Sequence, residues 1–148
     1  MRIAGNLTRD VQEVRQVFRR MIFNVFAHNR DDHAKNHAFQ MSSDGRWTTA
    51  PAYDLTCSVG PCGEHNLAVA GESRNPGEPE IMKVAAEASI SPADARAVVE
   101  EVREAIGQWP EFAEAARLSR RRASEIGDII DRWSPRARTG VQSTSPSG

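Results

Sequence analysis

Apolar residues recur with helical spacing near the start of the chain. Asp10 can cap a helix, and Glu13 three residues later completes a capping-box pattern. The spacing that follows predicts an amphipathic helix of about five turns that leads directly to Asn29. Its apolar positions are Val11, Val14, Phe18, Met21, Ile22, Val25 and Phe26. Its charged face carries Glu13, Arg15, Arg19 and Arg20.

A different pattern follows this helix. Polar and apolar residues alternate over 37–41, as in a strand. Residues 42–45 have the composition of a turn, and residues 46–49 are typical of a second strand. Pro51 ends the pairing, because proline has no N–H to donate. A hairpin folds the chain back on itself, so we expect Asp54 to return close to Asn36.

The second half of the chain is predicted to be helical. Residues 56–80 hold four of the ten glycines and three of the eight prolines, and only 65–70 suggest order there. Helices are expected from about Glu78, from Ser91-Pro92 with Asp94 as start signal, over 110–118 and over 120–133. The expected fold is mainly α with one small β-hairpin. We expect a loose N-terminus at 1–9, one domain over 10–133 and a disordered tail at 134–148.

Composition narrows the range of functions. A chain of 148 residues with a net charge of −1 is long enough for one domain and has no overall basic field. We therefore expect no direct nucleic-acid binding. The apolar runs are too short for a membrane span or a signal peptide, which favours a cytoplasmic protein. Cys57 and Cys62 are expected to be reduced loop cysteines.

The strongest functional signal lies in residues 29–36, which read Asn-Arg-Asp-Asp-His-Ala-Lys-Asn. Asp31 and Asn36 have the spacing of a kinase catalytic loop, in which the Asp accepts the substrate hydroxyl proton and the Asn holds a metal. Asp54, after the hairpin, would be the second metal ligand. Oxygen ligands of this kind suit Mg²⁺. His33 and Lys35 have two interpretations from the residues alone: they support the loop or approach a phosphate.

Two other interpretations of this stretch remain open. The first is a purely structural loop, because Asp, Asn, His and Lys are all common in loops. The second is a metal-dependent phosphohydrolase or nuclease, in which two histidines four residues apart act with nearby carboxylates. Its candidate residues are Asp31, Asp32, His33, His37 and Asp54. This second interpretation gives Asn36 no role.

The motif resembles the C-terminal region of HipA-type kinases, the serine/threonine kinase toxins of bacterial toxin–antitoxin pairs. The resemblance rests on residues 23–25, 29–39 and 51–55, and more weakly on 65–69 and 109–112, so it spans about residues 15–133. It implies a helical, kinase-like C-lobe with ATP as co-substrate. It also implies that Asp31 is the catalytic residue and that Asn36 and Asp54 bind magnesium.

The resemblance is incomplete at the N-terminal side. Kinases of this family cover the ATP phosphates with a lobe that bears a phosphate-binding loop and a Lys, and the residues before Asp31 show no Gly-rich loop after a strand. We therefore expect a C-lobe whose N-lobe is a partner chain, or else an inactive pseudokinase-type module. A helix-turn-helix antitoxin and a protein substrate with Ser or Thr are the other expected partners. An apolar patch at the hairpin, around Phe39, Trp47 and Tyr53, is the expected docking surface.

Overall fold

The computed structural model describes residues 1–133, and the expected disordered tail at 134–148 lies outside them. The order of elements confirms a mainly helical fold with one hairpin. The helices are α1 (Arg2–Thr8), α2 (Val11–Phe26), α3 (Glu78–Glu87), α4 (Pro92–Gly107), α5 (Trp109–Ala115) and α6 (Arg120–Trp133). The strands are β1 (Phe39–Met41) and β2 (Trp47–Thr49), and short 3₁₀ turns occupy Ala34–Asn36 and Pro61–Gly63.

Helix α2 is the central element of the core, and it packs most extensively against α4. Its apolar stripe meets that of α4, and Phe18, Ile22 and Phe26 are fully buried. This burial removes apolar surface from water and is the main source of stability in such a domain. The buried apolar residues of α4 are Ala95, Val98, Val99, Val102 and Ile106. The segment 29–36 therefore follows directly from a helix with fully buried apolar residues.

The polar face of α2 supports the hairpin. Glu13 Oε2 accepts hydrogen bonds from the backbone N–H of Thr49, at 2.8 Å, and from its hydroxyl, at 2.6 Å. Arg20 Nη2 donates to the backbone carbonyl of Ala50 at 2.5 Å. Asp10 caps α2 as predicted, because its carboxylate accepts from Gln12 N at 2.8 Å. The predicted role of Glu13 in a capping box is wrong, since its carboxylate bonds to β2 instead.

The N-terminus differs from the expected loose segment at 1–9. Residues Arg2–Thr8 form α1, which packs on α2 and β2 and buries Ala4. The Thr8 hydroxyl bonds back to the Ala4 carbonyl at 2.8 Å. The segment shows no amphipathic period, so its order comes from tertiary packing rather than from a local pattern. The boundary predicted at residue 10 is therefore wrong for the described structure.

The later helices begin close to their predicted starts. Ser91 Oγ caps α4 by accepting from Asp94 N at 3.1 Å, and Pro92 occupies the first turn. Trp109 begins α5 rather than ending α4, and its indole N–H donates to the Ala123 carbonyl at 2.9 Å. This bond joins α5 to α6. None of the described helices has the length and apolar character needed to cross a membrane.

Candidate functional site

The loop that leaves α2 is anchored by a buried asparagine. The backbone N–H of Asn29 donates to the Asn24 carbonyl at 2.8 Å, and its side-chain amide donates to Asn24 Oδ1 at 3.1 Å. The same amide lies 3.5 Å from the carbonyl of Asp54. Asn29 is only 1% exposed. It therefore joins the end of the rigid helix to both sides of the candidate site.

Asn36 and Asp54 meet as the sequence predicted. Asn36 Nδ2 donates to Asp54 Oδ2 at 3.0 Å, and it also lies 3.4 Å from the backbone carbonyl of Asp31. Asp54 has the left-handed backbone conformation, with φ at 56°. Asp tolerates this region better than most residues. The hairpin thus brings together two side chains that are eighteen positions apart in the sequence.

Asp31 lies on the exposed side of the same loop, with its carboxylate oriented by two donors. His33 Nε2 lies 2.8 Å from Asp31 Oδ1, and Asn66 Nδ2 donates to the same oxygen at 3.1 Å. The backbone N–H of Asp31 donates to Ser58 Oγ at 3.1 Å. The side chain is 52% exposed. The carboxylate is therefore accessible to a ligand although its Oδ1 is held.

Arg30 joins the segment 60–75 to the loop 29–36. Its guanidinium donates to the carbonyls of Gly63 and Arg74, the latter at 2.7 Å. Arg30 is 6% exposed. Gly60 makes this approach possible, because a Cβ there would lie 2.6 Å from Arg30 Cβ and its φ is +65°.

Asp32 faces the interior, in contrast to Asp31. Its Oδ1 accepts from the backbone N–H of Leu67 at 3.2 Å, and its Oδ2 lies 3.6 Å from His65 Nδ1. The ring of His28 packs edge-on against the ring of His65. Burial, together with the charge of Arg30 and with His65, lowers the pKa of His28 to about 4. These buried groups form a structural layer beneath the site, and sequence pattern did not reveal them.

The remaining predicted residues lie around this centre. Lys35 is exposed in the 3₁₀ turn, and its backbone carbonyl accepts a hydrogen bond from the Tyr53 hydroxyl at 2.5 Å. His37 is half-buried, and burial followed by the charge of Arg20 lowers its pKa. Both Cys57 and Cys62 are free thiols, as expected.

The donor set of Asn36 and Asp54 fits a magnesium ion. Two neighbouring oxygen ligands of an octahedral Mg²⁺ lie about 3 Å apart, given Mg–O distances of about 2.0–2.1 Å. Asn36 Nδ2 lies 3.0 Å from Asp54 Oδ2, so the two side chains are close enough to reach a single ion. The amide has to turn its oxygen toward the metal, a rotation of the side chain alone. The described residues contain no group of three or more His, Cys, Asp and Glu side chains suited to a metal, so they give the hydrolase interpretation no support.

Comparison with known families decides the identity at this point. Residues 1–130 match the sequence pattern of the HipA-like C-terminal domain. The chain belongs to that family. No curated protein matches it. In this HipA-like domain, Asn36 contacts Asp54 and lies close to the Asp31 backbone, whereas Arg30 and Asp32 are buried.

The HipA-like domain also contains contacts that motif spacing did not predict. Asn29 and Arg30 lie within the stretch 29–36 but had no predicted role, and Asn66 lies outside it. All three hold the loop 29–36 by hydrogen bonds that span from 5 to 45 positions. Asn66 lies in the short ordered segment predicted at 65–70, and this predicted order was the one sign in the sequence that the segment has a structural role. The Asn66 amide has no recognisable partner until the fold places it beside Asp31.

Proposed function

We propose that the HipA-like domain is the catalytic and metal-binding half of an ATP-dependent protein serine/threonine kinase. The observation that carries this proposal is the contact of Asn36 Nδ2 with Asp54 Oδ2, at 3.0 Å. The same amide lies 3.4 Å from the backbone carbonyl of Asp31, whose side chain is exposed. In phosphoryl transfer the protein mainly positions groups and neutralises charge. This arrangement supplies an acceptor for a proton and two oxygen ligands for a metal.

Asp31 is the group that meets the substrate hydroxyl. Its Oδ1 is held by His33 and Asn66, so Oδ2 is the oxygen that orients the Ser or Thr hydroxyl. As the hydroxyl oxygen bonds to the γ-phosphorus of ATP, the bond from that phosphorus to ADP breaks, and the hydroxyl proton passes to this carboxylate. The loop holds Asp31 at an exposed position, which a protein substrate requires.

Asn36 and Asp54 would hold the magnesium ion that accompanies ATP. The metal, when bound, neutralises charge on the phosphate oxygens. Asp54 contributes the anionic oxygen and Asn36 a neutral one. Lys35 is exposed in the same loop, and we assign it the role of contacting a phosphate of ATP. His33 orients the carboxylate of Asp31.

The part of the kinase that grips the ATP phosphates is proposed to come from another chain or another segment. In residues 1–133 the strands are β1 and β2, and both follow Asp31, so no strand with a Gly-rich loop precedes it among the described residues. A helix-turn-helix antitoxin encoded next to the gene would place the kinase in a toxin–antitoxin setting. The described domain alone should turn over ATP very slowly, because losing several kcal/mol of phosphate positioning costs a factor of ten for each ~1.4 kcal/mol.

The test combines this chain with a neighbouring β-rich lobe that carries a Gly-rich loop and a Lys. Phosphate transfer from radiolabelled ATP to serine or threonine peptides is measured for the chain, the lobe and the mixture. Transfer is expected from the mixture and lost in Asp31→Asn. The matched control is Asp44→Asn, an exposed carboxylate on the hairpin turn that should leave the rate unchanged.

Two outcomes would count against the proposal. Transfer that survives Asp31→Asn would show that another group accepts the proton. A mixture that binds ATP and magnesium yet transfers no phosphate would favour a pseudokinase-type module that holds a partner. Ordinary kinase rates from the chain alone, abolished by Asp31→Asn, would overturn only the need for a second lobe.

A further inference from the structure

An apolar cavity of about 590 Å³ lies apart from the Asp31 site. Residues of α2, α4, α5 and α6 form its walls, together with residues 55–57. Its aromatic lining residues are Phe23, Trp109 and Phe112, and its aliphatic ones include Leu55, Ile106 and Ile126. Small-molecule sites usually measure about 300–1,000 Å³ and have mostly apolar walls with few polar groups. The size and lining of this cavity fit that description.

The hairpin does not line this cavity. Phe39 and Trp47 are half-buried within the chain, and Tyr53 is 45% exposed. Two of the three residues expected to form an exposed apolar surface are thus partly covered, while Tyr53 and the neighbouring Met41 on β1 are exposed. The cavity between the helices is a second apolar surface, which the sequence did not predict.

Arg122 is the one charged side chain among the described residues that line the cavity. It lies on the first turns of α6, with its side chain more than half exposed, and its contact with Glu125 is long, at 3.4 Å. Cys57 also lines the cavity, and burial raises the pKa of its thiol while the positive charge of Arg122 acts in the opposite direction. The Arg122 guanidinium therefore contributes positive charge at the wall of the cavity.

We propose that this cavity binds a small amphipathic anion, with its apolar body between the helices and its acid group on Arg122. Charge complementarity selects this occupant, because an apolar wall with a single cation matches an apolar body with a single negative charge. A fatty acid or an aromatic carboxylate has this chemistry. The proposal does not depend on the kinase activity proposed above.

The site is connected to the metal-binding residues through Leu55. Leu55 follows Asp54 directly and lines both this cavity and the small cleft that contains Asn36 and Asp54. An occupant of the cavity therefore touches a residue whose backbone is continuous with a metal ligand. Through Leu55, an occupant of the cavity can change the position of Asp54.

Other occupants fit less well. Residues 134–148 continue from α6, but their aliphatic side chains are only Ala137 and Val141. In a symmetric dimer through this cavity, Arg122 of the second copy would approach Arg122 of the first, and the two positive charges would repel each other. Both alternatives are separated by the experiment below.

The experiment measures dodecanoate binding by isothermal titration calorimetry, below the concentration at which dodecanoate forms micelles. We expect one site per chain, weaker binding of dodecanol and still weaker binding of dodecyltrimethylammonium. Arg122→Gln should weaken dodecanoate binding about fivefold to tenfold, since one partly exposed charge-assisted bond is lost. Ala105→Trp, at an exposed position on the cavity wall, should abolish it.

The matched control is Arg121→Gln. Arg121 neighbours Arg122 and also bonds to Glu125, at 2.9 Å, but it does not line the cavity. Equal losses from both arginine variants, equal binding of the cationic amphiphile, or no saturable binding would overturn the proposal. So would a monomer–dimer equilibrium that competes with dodecanoate, or at least tenfold tighter binding after removal of residues 134–148.

Discussion

The side-chain amide of Asn66 donates to Oδ1 of Asp31 at 3.1 Å, across 35 positions of sequence. The same amide donates to the Arg30 carbonyl at 3.2 Å, and the Asn66 backbone N–H donates to that carbonyl at 3.1 Å. The segment after the hairpin is therefore hydrogen-bonded to the residue proposed to accept the proton. It holds Oδ1, so Oδ2 is the oxygen that the proposed function assigns to the substrate hydroxyl.

We expect Asn66→Ala to lower kcat of the assembled kinase about tenfold and to leave KM for ATP nearly unchanged. The reason is that one hydrogen bond orienting the carboxylate, with a contribution of about 1–1.5 kcal/mol, is lost while the nucleotide contacts remain. Steady-state kinetics of phosphate transfer would measure both parameters. Asn66→Asp should lower kcat further, because two carboxylates would then repel each other.

Asn75→Ala is the control for this prediction. Asn75 contacts the Arg30 guanidinium at 3.4 Å, whereas Asn66 contacts the Asp31 carboxylate itself. Its loss should change kcat less than twofold. If Asn66→Ala and Asn75→Ala reduced kcat equally, the effect would come from general loosening of the segment and not from orientation of Asp31.

The second prediction concerns the metal. Mn²⁺ serves as a spectroscopic substitute for Mg²⁺. Asp54→Asn should weaken Mn²⁺ binding by about tenfold or more, because the anionic ligand is lost. Electron paramagnetic resonance of free Mn²⁺ would measure this. Addition of diamagnetic Mg²⁺ should also shift the side-chain amide NMR signal of Asn36, since its Nδ2 must leave Asp54 Oδ2. Asp44→Asn is the matched control, and an equal effect there would refute the assignment.

The third prediction concerns Arg30. Arg30→Met keeps an unbranched side chain but removes the guanidinium donors to Gly63 and Arg74. Backbone amide exchange should become faster in residues 63–75, while α2 and α4 should stay protected, because local opening follows the loss of local bonds. Hydrogen–deuterium exchange with mass spectrometry resolves these regions.

Arg20→Met is the comparison for Arg30→Met. Arg20 donates to the Ala50 carbonyl, so its loss should speed exchange near residues 47–51 instead. Faster exchange across the whole domain in the Arg30 variant would mean that Arg30 supports global stability rather than this segment.

The fourth prediction concerns pH. His28 is buried and its pKa is lowered to about 4, whereas the unfolded chain titrates near its ordinary value of about 6.5. Between these values the unfolded state binds more protons, so stability falls as pH falls from about 6.5 to 4. The contribution is at most about 3 kcal/mol, from about 1.4 kcal/mol per pKa unit. Urea unfolding at pH 7 and 4.5 would measure it.

His28→Asn should reduce this pH dependence, and His37, whose pKa burial also lowers, contributes a remainder of the same sign. Asn tolerates the left-handed backbone at this position, where φ is 54°. The groups that surround His28 (Arg30, His65 and Asp32) remain in the variant. Exposed carboxylates with lowered pKa values, such as Asp94, lose their contribution only at more acidic pH. An unchanged slope in His28→Asn would show that another group controls the pH dependence.

The sequence by itself determined the features encoded by neighbouring residues. The cap at Ser91 and the apolar period of α2 depend on contacts within one or two turns, so they can be seen without a structure. The hairpin likewise follows from alternation and a turn. The spacing of Asp31 and Asn36 marked the candidate site, and the hairpin predicted that Asp54 would return to it.

Only the tertiary structure decided the contacts between distant residues. Glu13 has the sequence position of a capping residue, yet its carboxylate bonds to Thr49 because the hairpin packs on that face of α2. Asn66 acquires its role only when the segment 60–75 folds over the loop. The cavity beside Arg122 exists because four helices and one loop enclose it. Such features depend on long-range packing, which leaves no local period in the sequence.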